Sequence, residues 1–215
     1  MSDARLRITE IFYSVQGETS RVGLPTVFVR LTGCPLRCGY CDTAYAFQGG
    51  EWMTLPQILD AVAAYAPRQV TVTGGEPLAQ RDCPVLLAAL CDAGYDVSLE
   101  TSGALDIANV DRRVARIVDI KTPGSGEVER NLWSNIEQLT PRDEVKFVIV
   151  DEADYRWSVG VLREHRLAER CQVLFSPVFG KLAPRQLAEW ILRDRLPVRM
   201  QLQLHKILWG EEPGR

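Results

Sequence analysis

The stretch 26-TVFVRLTGCPLRCGYCDTAYAF-47 decides how the chain is read. Residues 26–32 are mostly β-branched, aromatic or aliphatic, as in a strand, and Gly33 ends the run. Three cysteines follow at once, Cys34, Cys38 and Cys41, in the spacing C-x3-C-x2-C. A closed structural zinc site takes four ligands, and a disulfide takes two sulfurs. Three thiolates at a strand end describe a centre with one position left open. Thiolates are soft ligands that select zinc or iron–sulfur clusters. A zinc ion would need a fourth ligand, but His165 and His205 are the only histidines, both far along the chain, and no second C-x-x-C exists. A [4Fe–4S] cluster usually takes four cysteines, so three leave one iron open to a small molecule.

Working outward, strand-like and helix-like runs alternate. Leu55, Ile58, Leu59, Val62 and Tyr65 recur at helical spacing behind Thr54, a candidate N-cap. The run 69-QVTVT-73 reads as a strand stopping at Gly74-Gly75, and a helical pattern over about 83–93 ends near Gly94. Strands are expected at 97-VSLE-100, 115-ARIVDI-120, 172-QVLFS-176 and 198-VRMQLQ-203, with helices near 152–166 and 184–195. The segment 145-VKFVIV-150 reads as a continuous apolar run, as in a strand covered on both faces. Alternating strands and helices imply an α/β fold with a mostly parallel sheet. Six or seven units are short of the eight that close a TIM barrel, so a single domain over residues 1–215, built as a partial, open β/α barrel, is expected. A site in such a fold lies at the C-terminal strand ends, where the cysteine loop, Gly74-Gly75, Glu100 and Lys121 all fall.

Composition narrows the function. With 46% hydrophobic and 25% charged residues, the chain has the profile of an ordinary globular protein. The net charge of −3 and the lack of a basic block argue against a direct nucleic-acid partner. The N-terminus MSDARLRITE has no apolar core after its charges, and no apolar run approaches membrane length, so a cytoplasmic protein without a membrane partner is expected. Cys83, Cys91 and Cys171 are isolated and read as free buried thiols.

The cysteine triplet, with Tyr40 just before its third member, resembles the radical S-adenosylmethionine (radical SAM) superfamily. The resemblance implies that the open iron binds the amino and carboxylate groups of S-adenosylmethionine, whose sulfonium an electron from the cluster then cleaves. The turn 73-TGGEP-77 matches the superfamily's glycine-rich turn near the methionine ammonium. Glycines allow close backbone approach, and carbonyls or a carboxylate accept from a cation, although Gly-Gly after a strand is by itself an ordinary turn. The segments 10-EIFYSVQGE-18, 41-CDTAY-45, 99-LETSG-103 and 203-QLHK-206 resemble the 7-carboxy-7-deazaguanine synthase (QueE) family, over about residues 8–206. That resemblance implies ring contraction of 6-carboxy-5,6,7,8-tetrahydropterin with loss of ammonia, in queuosine or other deazapurine biosynthesis, with a radical SAM core on a shortened barrel. It also implies a [4Fe–4S] cluster, S-adenosylmethionine and Mg2+, a homodimer, and an electron donor such as flavodoxin or ferredoxin.

No residue is assigned to the bond chemistry itself. The resemblance places S-adenosylmethionine against Tyr40, Cys41, Asp42, Gly75, Asp119, Ile120, Lys121, Ser176, Pro177, Val178 and Phe179, and Mg2+ on Thr43. Mg2+ prefers hard oxygen ligands and keeps several waters, in keeping with a Thr oxygen, though Asp42-Thr43 also suits a turn or N-cap. Arg30 interrupts an apolar strand and needs an anion, either the substrate carboxylate or an internal salt-bridge partner. Glu100 can accept from the amino and ring N–H groups of a pterin, or stand as an ordinary acid. Val15, Gln16 and Gly17 offer groups to the pyrimidine edge, Thr73 is by the same resemblance a further substrate-binding residue, and His205 either bonds substrate or closes the site. The tail 207-ILWGEEPGR-215 departs from the family pattern. Two other classes stay open: a glycyl-radical activase, which shares the cysteine spacing but acts on a protein, and a non-catalytic zinc-binding interaction module.

Overall fold

Alternation along the strands builds the architecture. In Pro25–Leu31 (β2), Val27, Val29 and Leu31 are fully buried against the helical layer, while Phe28 and Arg30 turn to the other face. In Gln69–Gly74 (β4) and Asp96–Thr101 (β5), Val70, Val72, Val97 and Leu99 join the core, and Thr71, Thr73, Ser98 and Glu100 take the opposite face. Ala115–Asp119 (β6) and Glu144–Ile149 (β7) continue the rule, sending Asp119 and Lys146 to that inner face. Gln172–Pro177 (β8) and the two-residue Arg199–Met200 (β9) complete a parallel run of seven strands in the order β2-β4-β5-β6-β7-β8-β9. One face is thus apolar and covered, and the other is a polar lumen.

The computed structural model describes residues 4–210 together with 212 and 214. Two strands extend the sheet beyond the expected set. Arg5–Val15 (β1) pairs antiparallel with β2, and Glu51–Thr54 (β3) pairs antiparallel with β1, giving a nine-stranded sheet among the described residues. The stretch 10-EIFYSVQGE-18 is therefore largely strand. The expected strand over 198–203 is shorter than anticipated, because after Met200 the chain turns across the lumen as Leu204–Trp209 (α6).

The outer layer is helical where periodicity said so. Leu55–Ala63 (α1) starts at Thr54, whose side chain and Gln57 form a reciprocal capping box, and buries Ile58 and Val62. Cys83–Asp92 (α2), Glu152–Glu164 (α3), the short Leu167–Arg170 (α4) and Pro184–Asp194 (α5) also pack on the sheet. Each fully buried Leu, Ile or Val contributes about 1.5–3 kcal/mol. The crossovers from β5 to β6 and from β6 to β7 lack an α-helix. Residues 102–114 and 120–143 run as turns and short 3-10 segments. There Asn135 donates to the Gly103 and Leu105 carbonyls, and Asn131 bonds both the N–H and the carbonyl of Lys121, so side chains supply what helix bonds would have. Among the described residues no helix is long and apolar enough to cross a membrane.

The loop between β1 and β2 closes the bottom of the lumen. Arg21 reaches Gln69 at 2.9 Å and Asp96 at 2.7 Å, at the starts of β4 and β5. Ser20 donates to Glu144, at the start of β7, from both its N–H and its hydroxyl. Gln16, Gly17 and Glu18 thereby face up into the lumen as its floor.

Candidate active site

A cavity of about 650 Å³ fills the lumen from this floor to the cysteine loop. Cys34, Cys38 and Cys41 all line it. Their loop is shaped by Gly33 at φ 95°, a conformation that favours glycine. It is pinned by Gly33 N–H to Ala46 O at 2.8 Å and Gly39 N–H to Ser125 O at 2.9 Å. The Arg37 guanidinium lies 4.3 Å from the Phe47 ring centre and donates to the Cys34 and Leu36 carbonyls. Gly75 sits directly under the loop: a Cβ there would lie 2.3 Å from Gly33 O and 2.8 Å from Cys34 Cβ. Burial pushes the Cys34 and Cys38 thiols above their ordinary pKa, against the pull of Lys121. Thiolates at these positions call for cations of their own. The Leu36 N–H points at Cys34 Sγ from 3.4 Å, a donor suited to a metal-bound sulfur. Three thiols on one wall, a donor on sulfur and a glycine beneath fit a cluster held by three cysteines.

The neighbouring wall carries the residues expected to hold S-adenosylmethionine. Tyr40, Cys41, Asp42, Gly75, Asp119, Lys121, Val178 and Phe179 line the cavity. Ile120, Ser176 and Pro177 do not line it; all three are buried, and Ile120 belongs to the core cluster. For Ile120 the reason is alternation, which brings Ile117, Asp119 and Lys121 inward and turns the residue between them away. Ser176 and Pro177 are consecutive at the end of β8, and the cavity wall there is made by Val178 and Phe179 just beyond them. Lys121 Nζ bonds Asp119 Oδ2 at 2.9 Å. Burial and then Asp119 hold the Tyr40 phenol well above its ordinary pKa. The carboxylate of 73-TGGEP-77 is not offered to the cavity. Glu76 is fully buried and accepts from the Leu78 and Ser102 N–H groups and the Thr101 and Ser102 hydroxyls. Acceptance of an ammonium at this turn falls to backbone carbonyls.

At the floor, the Gln16 side chain donates to Thr71 and Glu100, both at 3.3 Å, and accepts from the Glu18 N–H. Thr73 Oγ1 donates to Glu100 Oε2 at 3.1 Å. Burial raises the Glu100 pKa, outweighing Lys146. Glu18 is shifted the other way, because Lys146 Nζ at 2.7 Å overcomes the effect of its burial. Arg30 has found an internal partner, Glu10, whose Oε1 lies 2.7 Å from Nε and also accepts from Tyr45. The two Nη atoms of Arg30 make no hydrogen bond among the described residues. Val15 and Gly17 line the floor, with His205 against Gly17, and burial lowers the His205 pKa. Thr43 lines the cavity rim, its hydroxyl donating to Asp42 Oδ1 at 3.0 Å.

Sequence reasoning missed Glu18, Lys146, Gln203 and Lys206 as individuals. Gln203 donates to Glu18 at 2.9 Å and to Asp42 at 3.3 Å, and Lys206 Nζ pairs with Asp42 at 2.8 Å. Lys146 was legible: a lysine inside 145-VKFVIV-150 breaks an apolar strand just as Arg30 does.

Comparison with known proteins agrees with this geometry. Residues 28–123 match the family model of the radical SAM superfamily. The chain is 50% identical over 214 residues to the 7-carboxy-7-deazaguanine synthase of Chlorobaculum tepidum, covering 98% of this chain and 97% of that one. It is 45% identical to the synthase of the same name from Koribacter versatilis, covering 96% and 98%. The crystal structure of QueE from Escherichia coli superposes with a TM-score of 0.77 at 22% identity, covering 94% of this chain and 95% of that one.

Proposed function

The chain belongs to the radical SAM superfamily and, within it, to the 7-carboxy-7-deazaguanine synthases, and from that membership we propose how its own residues divide the reaction. The reaction converts 6-carboxy-5,6,7,8-tetrahydropterin to 7-carboxy-7-deazaguanine with loss of ammonia by radical ring contraction. When bound, the [4Fe–4S] cluster and S-adenosylmethionine supply the 5′-deoxyadenosyl radical; the protein supplies binding, orientation and shielding.

Cys34, Cys38 and Cys41 hold the cluster. Backbone carbonyls at Gly74 and Gly75 take the methionine ammonium, and Tyr40, Asp42, Asp119, Lys121, Val178 and Phe179 surround the rest of the cofactor. Glu100, held by Gln16 and Thr73, takes the pyrimidine end of the pterin. The Nη atoms of Arg30, which make no hydrogen bond among the described residues, take the substrate carboxylate. His205, neutral because burial disfavours its charge, closes the lumen over Gly17. Held this way, the reacting carbon and the cofactor stay together and away from water.

Mg2+ is assigned to Thr43. Among the described residues no group of three or more His, Cys, Asp or Glu side chains forms a cage for an ion. A Mg2+ ion at Thr43 would take its other ligands from substrate and water, the usual habit of this ion. A flavodoxin or ferredoxin as one-electron donor, a homodimer and a cytoplasmic location are proposed on the family resemblance.

The observation that carries the reading is Glu100: a carboxylate enclosed in the same cavity as three cysteines, with no cation at ion-pair distance among the described residues. It awaits a ligand rich in N–H donors. The test is anaerobic reconstitution followed by mass spectrometry after incubation with 6-carboxytetrahydropterin, S-adenosylmethionine and a reductant. 7-Carboxy-7-deazaguanine is the expected product. Cofactor cleavage that ignores the pterin, with no new product, would point instead to an activase.

A further inference from the structure

Lys146 stands on β7 with its side chain in the lumen, facing Glu18 from the floor loop, Glu100 from β5 and Asp119 from β6. The side chain is only 13% exposed. An ammonium has three N–H donors. One reaches Glu18 Oε2 at 2.7 Å. Asp119 Oδ2, at 3.8 Å, is near enough to attract but too far to hydrogen-bond. Among the described residues no other acceptor bonds it. A buried charge with unused donors is costly unless a ligand supplies the acceptors. Glu100 is the complement, an acceptor facing the same space with neutral donors alone upon it.

Resting on the pterin reading above, we propose that Lys146 and Glu100 together read the pyrimidine edge of the substrate. Glu100 accepts from the 2-amino group and N3–H, and Lys146 donates to O4. Glu18 is a positioning residue: it fixes the ammonium and is itself held by Gln203. An edge that runs donor, donor, acceptor is matched by two carboxylate oxygens and one ammonium. An amino group in place of O4 sets donor against donor and is rejected. A Glu18–Lys146 ion pair serving the fold alone would have no reason to stand beside a ligand cavity with a single acceptor among the described residues.

The test is fluorescence titration of reconstituted holoenzyme, with S-adenosylmethionine bound, by 6-carboxypterin and by its 2,4-diamino counterpart. The unsubstituted protein is expected to favour 6-carboxypterin by roughly tenfold or more, the scale set by an unmatched buried hydrogen-bonding group. Lys146→Met should weaken 6-carboxypterin and narrow the ratio of the two affinities, the remainder being set by Glu100, which meets an N3 without a hydrogen in the diamino ring; iron content should be unchanged. A purely structural lysine would lower stability and leave the ratio alone. Should Lys146→Met fold poorly, Glu18→Gln with Lys146→Met keeps the charge balance and should show the same narrowed ratio. An unchanged ratio in a folded variant overturns the assignment. Failure of 6-carboxypterin to bind the unsubstituted holoenzyme overturns the pterin reading itself, which separates the two failures.

Discussion

The ring of His205 lies so close over Gly17 that a Cβ on Gly17 would stand 2.0 Å from Nδ1. The contact is reinforced by Leu204 N–H donating to Gly17 O at 2.9 Å. The floor and the lid of the lumen thus touch through a residue that has no side chain. Gly17→Ala is expected to push His205 and α6 outward and lower kcat/KM by at least roughly tenfold, ~1.4 kcal/mol. The loss should fall mainly on KM for the pterin, and steady-state kinetics at saturating S-adenosylmethionine would show it. Unchanged kinetics would mean that α6 does not close the site.

Glu100 should trade stability for binding. Burial, opposed by Lys146, raises its folded pKa, so the folded state holds the proton more tightly than the unfolded chain does. Its contribution is fully present below the unfolded carboxyl value of about 4.3 and is lost as pH rises through the folded pKa. At neutral pH the ionised group is therefore a cost. Glu100→Gln is expected to raise Tm at pH 7 to 8, with the gain vanishing below about pH 4. The same variant should bind 6-carboxypterin at least roughly tenfold more weakly. Thermal melts across pH and a binding titration check both; a lower Tm at pH 8 would refute the electrostatic account.

Iron content should sort the cysteines. Cys34→Ala, Cys38→Ala and Cys41→Ala are expected to lose the cluster and the brown absorbance of the reconstituted protein. Cys83→Ala and Cys171→Ala should keep it, since both thiols lie in the core and burial raises their pKa, that of Cys171 to about 12. Gly75→Ala should behave like a cysteine variant although it removes no ligand, because its Cβ would collide with backbone at Gly33. Full iron in Cys38→Ala would sink the assignment.

Mg2+ is expected to raise turnover, and Thr43→Ala to remove most of that stimulation, while Thr43→Ser retains it. Asp42 beside it is occupied otherwise: despite burial, Lys206 holds its carboxyl far below the ordinary range. Assays in chelator and in excess Mg2+ decide this. Equal rates in the two would exclude a role for the ion.

The parallel strands, their helices and the cysteine loop were legible because each rests on a local pattern: an apolar run, helical spacing or ligand spacing. β1 and β3 were not, since an antiparallel edge needs a partner that local sequence does not name. No helical spacing was read in the crossovers at 102–114 and 120–143, but the bonds that order them were not legible, because Asn131 and Asn135 act on carbonyls and N–H groups distant in sequence. Arg30 showed that a charge within a strand marks the lumen, but its Glu10 partner lies on β1, whose pairing was unread. Ile120, Ser176 and Pro177 were assigned by motif; alternation turned Ile120 away from the cavity, and past the end of β8 the lining falls to Val178 and Phe179.

The floor loop meets partners very distant in sequence: Ser20 bonds Glu144, and Glu18 bonds Gln203, 185 positions away. On a ribosome the floor loop and the three thiols emerge early, whereas α6, which closes the chamber over them, comes last. Contacts of such separation form late in folding. A nascent chain, or one clipped before α6, would hold its sheet yet leave the cysteine loop open to oxygen. Loading of the metal centre is therefore best timed after release of the complete chain, and proteolysis confined to the C-terminal end should produce a folded protein whose cluster decays in air faster than that of the intact one.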